Sequence, residues 1–319
     1  MKIVIVTGDR PHCVYLCKEL SKKYDVAAVF HYKGDHQFAL SAEQEKAKKD
    51  KLSERYSEDF VNSHYDAFLS DKKLPLELQH GYEEADEYFK DAMDYGDLSK
   101  DRIFYEDDIN SIESIEKIAA YNPDVVVCHG GPLYTKEFID AFKLVLNYHS
   151  GISPVYNGSD SHMFAFANGH PHLSGGTLMV MNPKIDGGDI LAHYLPEIED
   201  GDWPGRLFTK GLFGTVKLYD EFLDNLRNGG QFSKASQPVN PLFYYKRIQW
   251  GEGHLMQLQY HLKENVSSKH ARAESIVNYW KSTSDEEAKA MLDNQLLSML
   301  FHGEKSTSSN VYFLKVSDM

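Results

Sequence analysis

Cysteine is scarce. Only Cys13, Cys17 and Cys128 occur among 319 residues, too few for a disulfide framework. Cys13 and Cys17 lie four apart at the start of an expected helix and read as a buried face carrying reduced thiols. No further ligands stand at a spacing that would complete a zinc site with them. His170-Pro171-His172 has no carboxylate at ligand spacing either, so no metal is expected. Long apolar runs are missing too. No stretch approaches the roughly 20 residues of a membrane helix. The opening MKIVIVTGDRP has too short an apolar run for a signal peptide and no small-residue cleavage site. A cytoplasmic protein with no membrane partner is expected. Basic charge is in deficit: 34 Lys and Arg face 48 Asp and Glu, a formal net charge of −14. Nucleic-acid-binding domains usually carry a basic footprint. The balance therefore argues against a nucleic-acid partner, tRNA included, and leaves room for a small anionic substrate held by a few local cations.

The sequence does contain an alternation of short β-branched runs and helical periodicities. Residues 3–6 (IVIV) read as a buried strand, 12–23 as a helix and 25–31 as a second strand, the start of a parallel βαβ unit. Residues 32–110 break the rhythm. They are rich in Lys, Asp, Glu and Tyr, and stretches such as 42–69 and 82–93 read as solvated amphipathic helices. This is a helical insertion that would support the structure, form a dimer or wall one side of a cleft. The rhythm returns with a helix at 111–121, stopped by Asn122-Pro123. Strands follow at 124–128 and 144–148, with a short helix at 135–143 between them. A helix is expected at 160–168, strands at 176–181 and 189–195, and a long helix at 204–228. The reading is an α/β, Rossmann-like, mostly parallel sheet flanked by helices, with a catalytic domain at 1–228 and a small C-terminal appendage at 229–319. In the appendage Ser284 and Glu287 form a capping-box pattern.

The chemistry concentrates in 147–188. Asn147 and His149 are two apart at the carboxyl end of an expected parallel strand. They therefore share a face, at the end where ligands gather in open α/β sheets. Asp186 lies in the turn Ile185-Asp186-Gly187-Gly188. An Asn, a His and an Asp converging on one cleft suit attack of an amine on a carbonyl carbon. The amide would donate to the oxyanion, the imidazole would move the proton or stabilise the oxyanion, and the carboxylate would tune the imidazole. No Ser or Cys nucleophile is needed when the amine itself attacks.

Asn147-x-His149-x-x-x-x-Pro154 resembles the signature of the N10-formyltetrahydrofolate-dependent formyltransferases. Asp186-Gly187-Gly188-Asp189-Ile190 resembles their downstream Asp turn. Tyr156-Asn157-Gly158, Asn168-Gly169 and Gly176-Thr177 fit further landmarks. The resemblance covers about 111–228 well and 1–31 more loosely. It implies N10-formyltetrahydrofolate as formyl donor. The pterin would lie under the loop Cys128, His129, Gly130, Gly131, Pro132 and Leu133 and against Pro183, Lys184, Ile185 and Asp186, held largely by backbone groups.

The acceptor is a small-molecule amine. Thr7-Gly8-Asp9-Arg10-Pro11-His12 is a poor phosphate cradle, which counts against glycinamide ribonucleotide. The short appendage and the acidity count against initiator tRNA. An amino sugar linked to a nucleotide is favoured, with Arg10 and Tyr156 as substrate-binding candidates beside the patch Tyr244, Tyr245, Lys246, Arg247 and Trp250, which would stack a base and pair a pyrophosphate. The alternatives are an amine or hydroxylamine of siderophore or peptide biosynthesis, and hydrolysis of the formyl donor. Hydrolase relatives usually carry an extra N-terminal regulatory domain, whereas this chain begins at the catalytic strand. A homodimer through the insertion or the appendage is also expected.

Overall fold

The computed structural model describes residues 1–32, parts of 46–61 and residues 76–300. The helix expected at 42–69 lies largely outside the described residues. Ten strands and eight α-helices are described. Eight strands form one sheet in the order β10-β8-β7-β5-β4-β1-β2-β3. β1 (Lys2–Thr7) is central, paired in parallel with β2 (Asp25–Tyr32) on one side and β4 (Val125–His129) on the other. β3 (Ile103–Glu106) extends the sheet beyond β2, and β5 (Val145–His149) beyond β4, all still parallel. β7 (Gly176–Val180), β8 (Asp189–Leu195) and β10 (Ser275–Asn278) then add in antiparallel pairs.

The alternation within β1 shows why the sequence folds this way. Ile3 and Ile5 face one core, with Leu16, Cys17 and Leu20 of α1 (Pro11–Ser21) and Leu218, Tyr219 and Phe222 of the long α-helix Pro204–Arg227. Val4 and Val6 face the other core, with Ile118 and Phe138. A strand covered on both faces has no polar side, which is why its sequence reads as an unbroken β-branched run.

The chain enters α1 through Pro11, a residue suited to the first helical turn because its missing N–H has no partner there. α2 (Leu76–Phe89) packs its Ala85 and Phe89 against Phe208 and Leu212. Ile103–Glu106 falls within the stretch expected to be helical, yet it is the parallel edge strand β3. Its four residues are too few, and too mixed in polarity, to announce a strand by period. Helices α3 (Ile112–Ala119) and α4 (Lys136–Asp140) are capped by the side chains of Ser111 and Thr135. α5 (Ser161–Ala167) is buried along its whole length, and α6 is the long helix Pro204–Arg227.

The segment after α6 is tied to the sheet by backbone pairing. β10 pairs with β8, and β9 (Phe243–Tyr245) pairs with β6 (Tyr156–Gly158) in a separate two-stranded sheet. Arg272 adds a half-buried clasp, donating to the carbonyls of Pro196, His172 and Ser174 at 2.9, 2.5 and 2.9 Å. α7 (Glu252–Lys263) and α8 (Asp285–Leu300) complete the described chain. At the start of α8 the Ser284 hydroxyl accepts from the Glu287 N–H. The Glu287 carboxylate reaches back to Thr283 rather than to Ser284. Among the described residues no helix is long and apolar enough to cross a membrane.

The chain leaves β1 toward β2 and β3, then returns to the far side of β1 as β4. This reversal opens a crevice at the carboxyl ends of β1, β4 and β5, where open α/β sheets bind ligands.

Candidate active site

β5 delivers Asn147 and His149 to that end of the sheet, and the pleat sends Tyr148 to the opposite face. The Tyr148 hydroxyl donates to the Gly211 carbonyl of α6, which anchors the strand. His149 lies opposite Thr177 of β7. The Thr177 hydroxyl donates to the Gly151 carbonyl at 2.6 Å and accepts from the Ser153 N–H at 3.0 Å, fixing the chain as it leaves His149.

Only 7% of the His149 side chain is exposed, and both ring nitrogens face oxygen. Nε2 lies 2.9 Å from the Tyr156 carbonyl, with the Ser161 hydroxyl at 3.4 Å. Nδ1 lies 3.4 Å from Asp186 Oδ1. Carbonyl and carboxylate oxygens only accept, so both contacts are met together when both nitrogens carry hydrogen. Gly151 makes the arrangement possible. A Cβ there would stand 2.4 Å from His149 Nε2 and 2.7 Å from the Tyr156 carbonyl oxygen.

Asp186 sits in the left-handed backbone region, with φ of 49°. Its carboxylate is divided between two tasks: Oδ2 accepts from the Gly158 N–H at 2.7 Å, and Oδ1 faces His149. Its carbonyl accepts from the side-chain amides of Asn157 at 3.0 Å and Gln237 at 2.8 Å. The turn is thus pinned from two sides. Asn147 is only partly buried, and its carboxamide has no hydrogen-bond partner among the described residues. It offers a free N–H donor on the face it shares with His149.

The loop after β4 is held from within. The carbonyls of Cys128, His129, Gly130 and Leu133 each accept one hydrogen bond, from Tyr219, Thr7, Tyr32 and Asn110 respectively. Cys128 and His129 are also part of β4, paired with β1 and β5, so the loop proper begins at Gly130. The Cys128 side chain is fully buried, and burial pushes its thiol up to about 12, so only its backbone can face the cleft. Gly131 must be glycine, because a Cβ would fall 2.1 Å from the Tyr134 hydroxyl. Leu133, Pro183, Lys184 and Ile185 are exposed, and Gly131 and Pro132 are half-buried.

The substrate-binding candidates are mostly engaged with one another. Tyr156 is fully buried, its hydroxyl 2.8 Å from His170 Nδ1 and its ring stacked on Phe243. Tyr245 stacks face to face on Phe164 with centroids 4.0 Å apart, and Trp250 stacks on His254. Arg247 pairs with Asp160 at 2.9 Å, and the Asp160 side chain is wholly buried. Arg10 pairs with Asp86 at 3.1 Å. Both guanidinium groups lie over the Tyr82 ring, at 4.9 Å for Arg10 and 5.9 Å for Arg247, which brings the two ends of the chain together on α2. Lys246 is exposed.

Sequence reading did not find Ser161, Gly151 or Gln237. Gln237 approaches from a loop remote in sequence, and the Tyr156 oxygen is backbone, so neither leaves a motif.

A family model for formyl transferases matches residues 1–222. Curated relatives are methionyl-tRNA formyltransferases. The one from Bacillus velezensis is 28% identical over 148 residues, covering 44% of this chain and 46% of the relative. The one from Lysinibacillus sphaericus is 34% identical over 100 residues, 31% of this chain and 32% of the relative. The chain therefore spans about half or less of the length of the curated relatives it matches. Among solved structures, a sugar N-formyltransferase from a Shewanella species aligns over 77% of this chain and 76% of its own, with 13% identity and a TM-score of 0.46. A glycinamide ribonucleotide transformylase from Symbiobacterium toebii aligns over 76% of this chain and 94% of its own, with 15% identity and a TM-score of 0.46. With the family model covering the sheet through β8, the His149–Asp186 pair and most of α6, the chain belongs to the formyl transferase family.

Proposed function

We propose that the chain transfers a formyl group from N10-formyltetrahydrofolate to the amine of a small-molecule acceptor, favouring an amino sugar carried on a nucleotide. The observation that carries the reading is the buried His149–Asp186 pair beside the free Asn147 carboxamide. The residues present suit the donor. The loop after β4 stands at the carboxyl end of the sheet beside His149, and Gly130 at its start takes the left-handed backbone region. The acceptor nitrogen attacks the formyl carbon, the C–N10 bond breaks, and one proton passes from the amine to N10. Asn147 donates to the oxygen that gains charge. His149, oriented by the Asp186 carboxylate beside it, relays the proton from the amine to N10.

For the acceptor, the net charge of −14 supports a small molecule over a polynucleotide. Exposed Lys246 and partly exposed Tyr244 are the members of the patch left to meet a nucleotide. A dimer through 32–110 or 229–319 belongs to the same proposal.

The test is an incubation of the full chain with N10-formyltetrahydrofolate and, in separate arms, nucleotide-linked amino sugars, free amines and hydroxylamines, and initiator methionyl-tRNA. Mass spectrometry follows the acceptor and absorbance follows release of tetrahydrofolate. Formylation of a nucleotide-linked sugar supports the proposal. Formylation of a free amine alone keeps the chemistry and removes the nucleotide. Release without any formylated acceptor makes the chain a hydrolase and sinks the transfer reading.

A further inference from the structure

We propose that His12, Cys13 and His129 form a zinc site with one exchangeable position, at the carboxyl ends of β1 and β4. The three residues arrive from two elements. His12 and Cys13 open α1, directly after the β1 loop, and His129 ends β4. Their donor atoms all lie within 4.8 Å of one another, and exposure is 8%, 2% and 4%.

Two buried ring nitrogens, His12 Nδ1 and His129 Nδ1, have no hydrogen-bond partner among the described residues. Buried polar atoms are normally paired, and an unpaired one calls for an explanation. A cation accepting both lone pairs and the Cys13 sulfur would supply it. Zinc uptake forms the S–Zn bond and releases the thiol proton to solvent, one proton per zinc.

The donor set selects the metal. Two imidazoles and one thiolate suit zinc, whereas magnesium and calcium take oxygen ligands. Zinc–nitrogen and zinc–sulfur bonds of about 2.0 to 2.3 Å put tetrahedral donors about 3.5 Å apart, so the side chains draw together by about 1 Å on binding. Three protein ligands leave a fourth position, the arrangement of sites that hold water or an incoming group rather than of closed structural sites. The scaffold is firm. The Thr7 hydroxyl donates to the His129 carbonyl at 2.7 Å, and the His12 ring packs edge-on against His129 and Phe208. Cys17, one turn along α1, is buried in the apolar core and is not one of the three donors. The site does not depend on formyl transfer, and its test reads metal rather than turnover.

The full chain, stripped with a chelator, is titrated with zinc against a chromophoric competitor and separately with cobalt(II). The expected result is one zinc per chain and, with cobalt, a thiolate-to-metal charge-transfer band together with tetrahedral visible bands. Cys13→Ser should abolish the charge-transfer band. His12→Gln should weaken zinc by about tenfold or more. Cys17→Ser should leave both unchanged. Circular-dichroism melting of each metal-free variant reports whether it folds. If Cys13→Ser does not fold, the wild-type cobalt spectrum and His12→Gln decide. Absence of the charge-transfer band at saturating cobalt, its loss in Cys17→Ser with retention in Cys13→Ser, or zinc affinity unchanged in folded His12→Gln would each overturn the proposal.

Discussion

At His149 a single ring meets a backbone carbonyl on one edge and a carboxylate on the other, and that pairing sets the first expectations. Replacing Asn147 or His149 with Ala should lower kcat by about 100-fold or more, the usual size of an oxyanion or acid–base contribution. Steady-state kinetics on folded variants check this, and near-normal turnover in both would remove the site. Gly151→Ala tests the packing that aims the ring. The added methyl would meet His149 Nε2 and the Tyr156 carbonyl oxygen, and the latter is backbone and cannot swing away. A loss of about 1 to 3 kcal/mol in stability is expected from overpacking, with reduced turnover. Unchanged melting and unchanged kcat would show that the loop relaxes freely. Asn147, His149 and Asp186 stand out as candidates in the sequence because each is a polar side chain at a strand end or turn. Gly151 could not, since its role is to leave room for a ring that the sequence places two residues before it.

At the scale of elements, β9 and the turn after it show how the same residues can be read in two ways. Phe243, Tyr244, Tyr245, Lys246, Arg247 and Trp250 look like a nucleotide platform in the sequence. In the fold Tyr245 is stacked on Phe164 and Arg247 neutralises Asp160 on the loop before α5. Local composition cannot tell an aromatic facing solvent from one facing a helix that lies far away in sequence. The two cations therefore separate in their consequences. Arg247→Ala strands a wholly buried carboxylate and should cost about 3 to 5 kcal/mol of stability, measured by chemical denaturation. Lys246→Ala should leave stability unchanged and raise KM for a nucleotide-linked acceptor. A mild effect on stability from Arg247→Ala would mean that Asp160 is sustained by Tyr82 alone, whose hydroxyl donates to it at 2.7 Å. The edge strand β3 was hidden for a different reason: four residues carry too little period to stand out inside a charged stretch. The longer β1, β2, β4, β5, β7 and β8 stood out because burial on both faces makes most of their residues apolar.

Across the whole molecule, the buried histidines couple folding to pH. His162 and His193 are both held down to about 4, in each case chiefly by burial. In the unfolded chain a histidine titrates near about 6.5. Between those values the unfolded state binds protons that the folded state refuses. Their contribution to stability is therefore complete above the unfolded value and is lost as pH falls from about 6.5 toward 4, by about 1.4 kcal/mol per pH unit for each group. Below the folded value the loss stops growing. The two residues differ in what holds them. His193 is bonded to the Ser153 carbonyl and to the Tyr279 hydroxyl. Among the described residues His162 has no hydrogen-bond partner for either ring nitrogen, and it stacks on Phe208 at 4.4 Å. A phenylalanine at 162 keeps the stack and the volume while removing the titrating group. His162→Phe should then match or exceed the parent stability at neutral pH and show a shallower loss on acidification, read from denaturant melts at about pH 7.5 and about pH 5. A parallel loss in parent and variant would mean that His162 takes up its proton without unfolding, and that the pocket between α5 and α6 admits water.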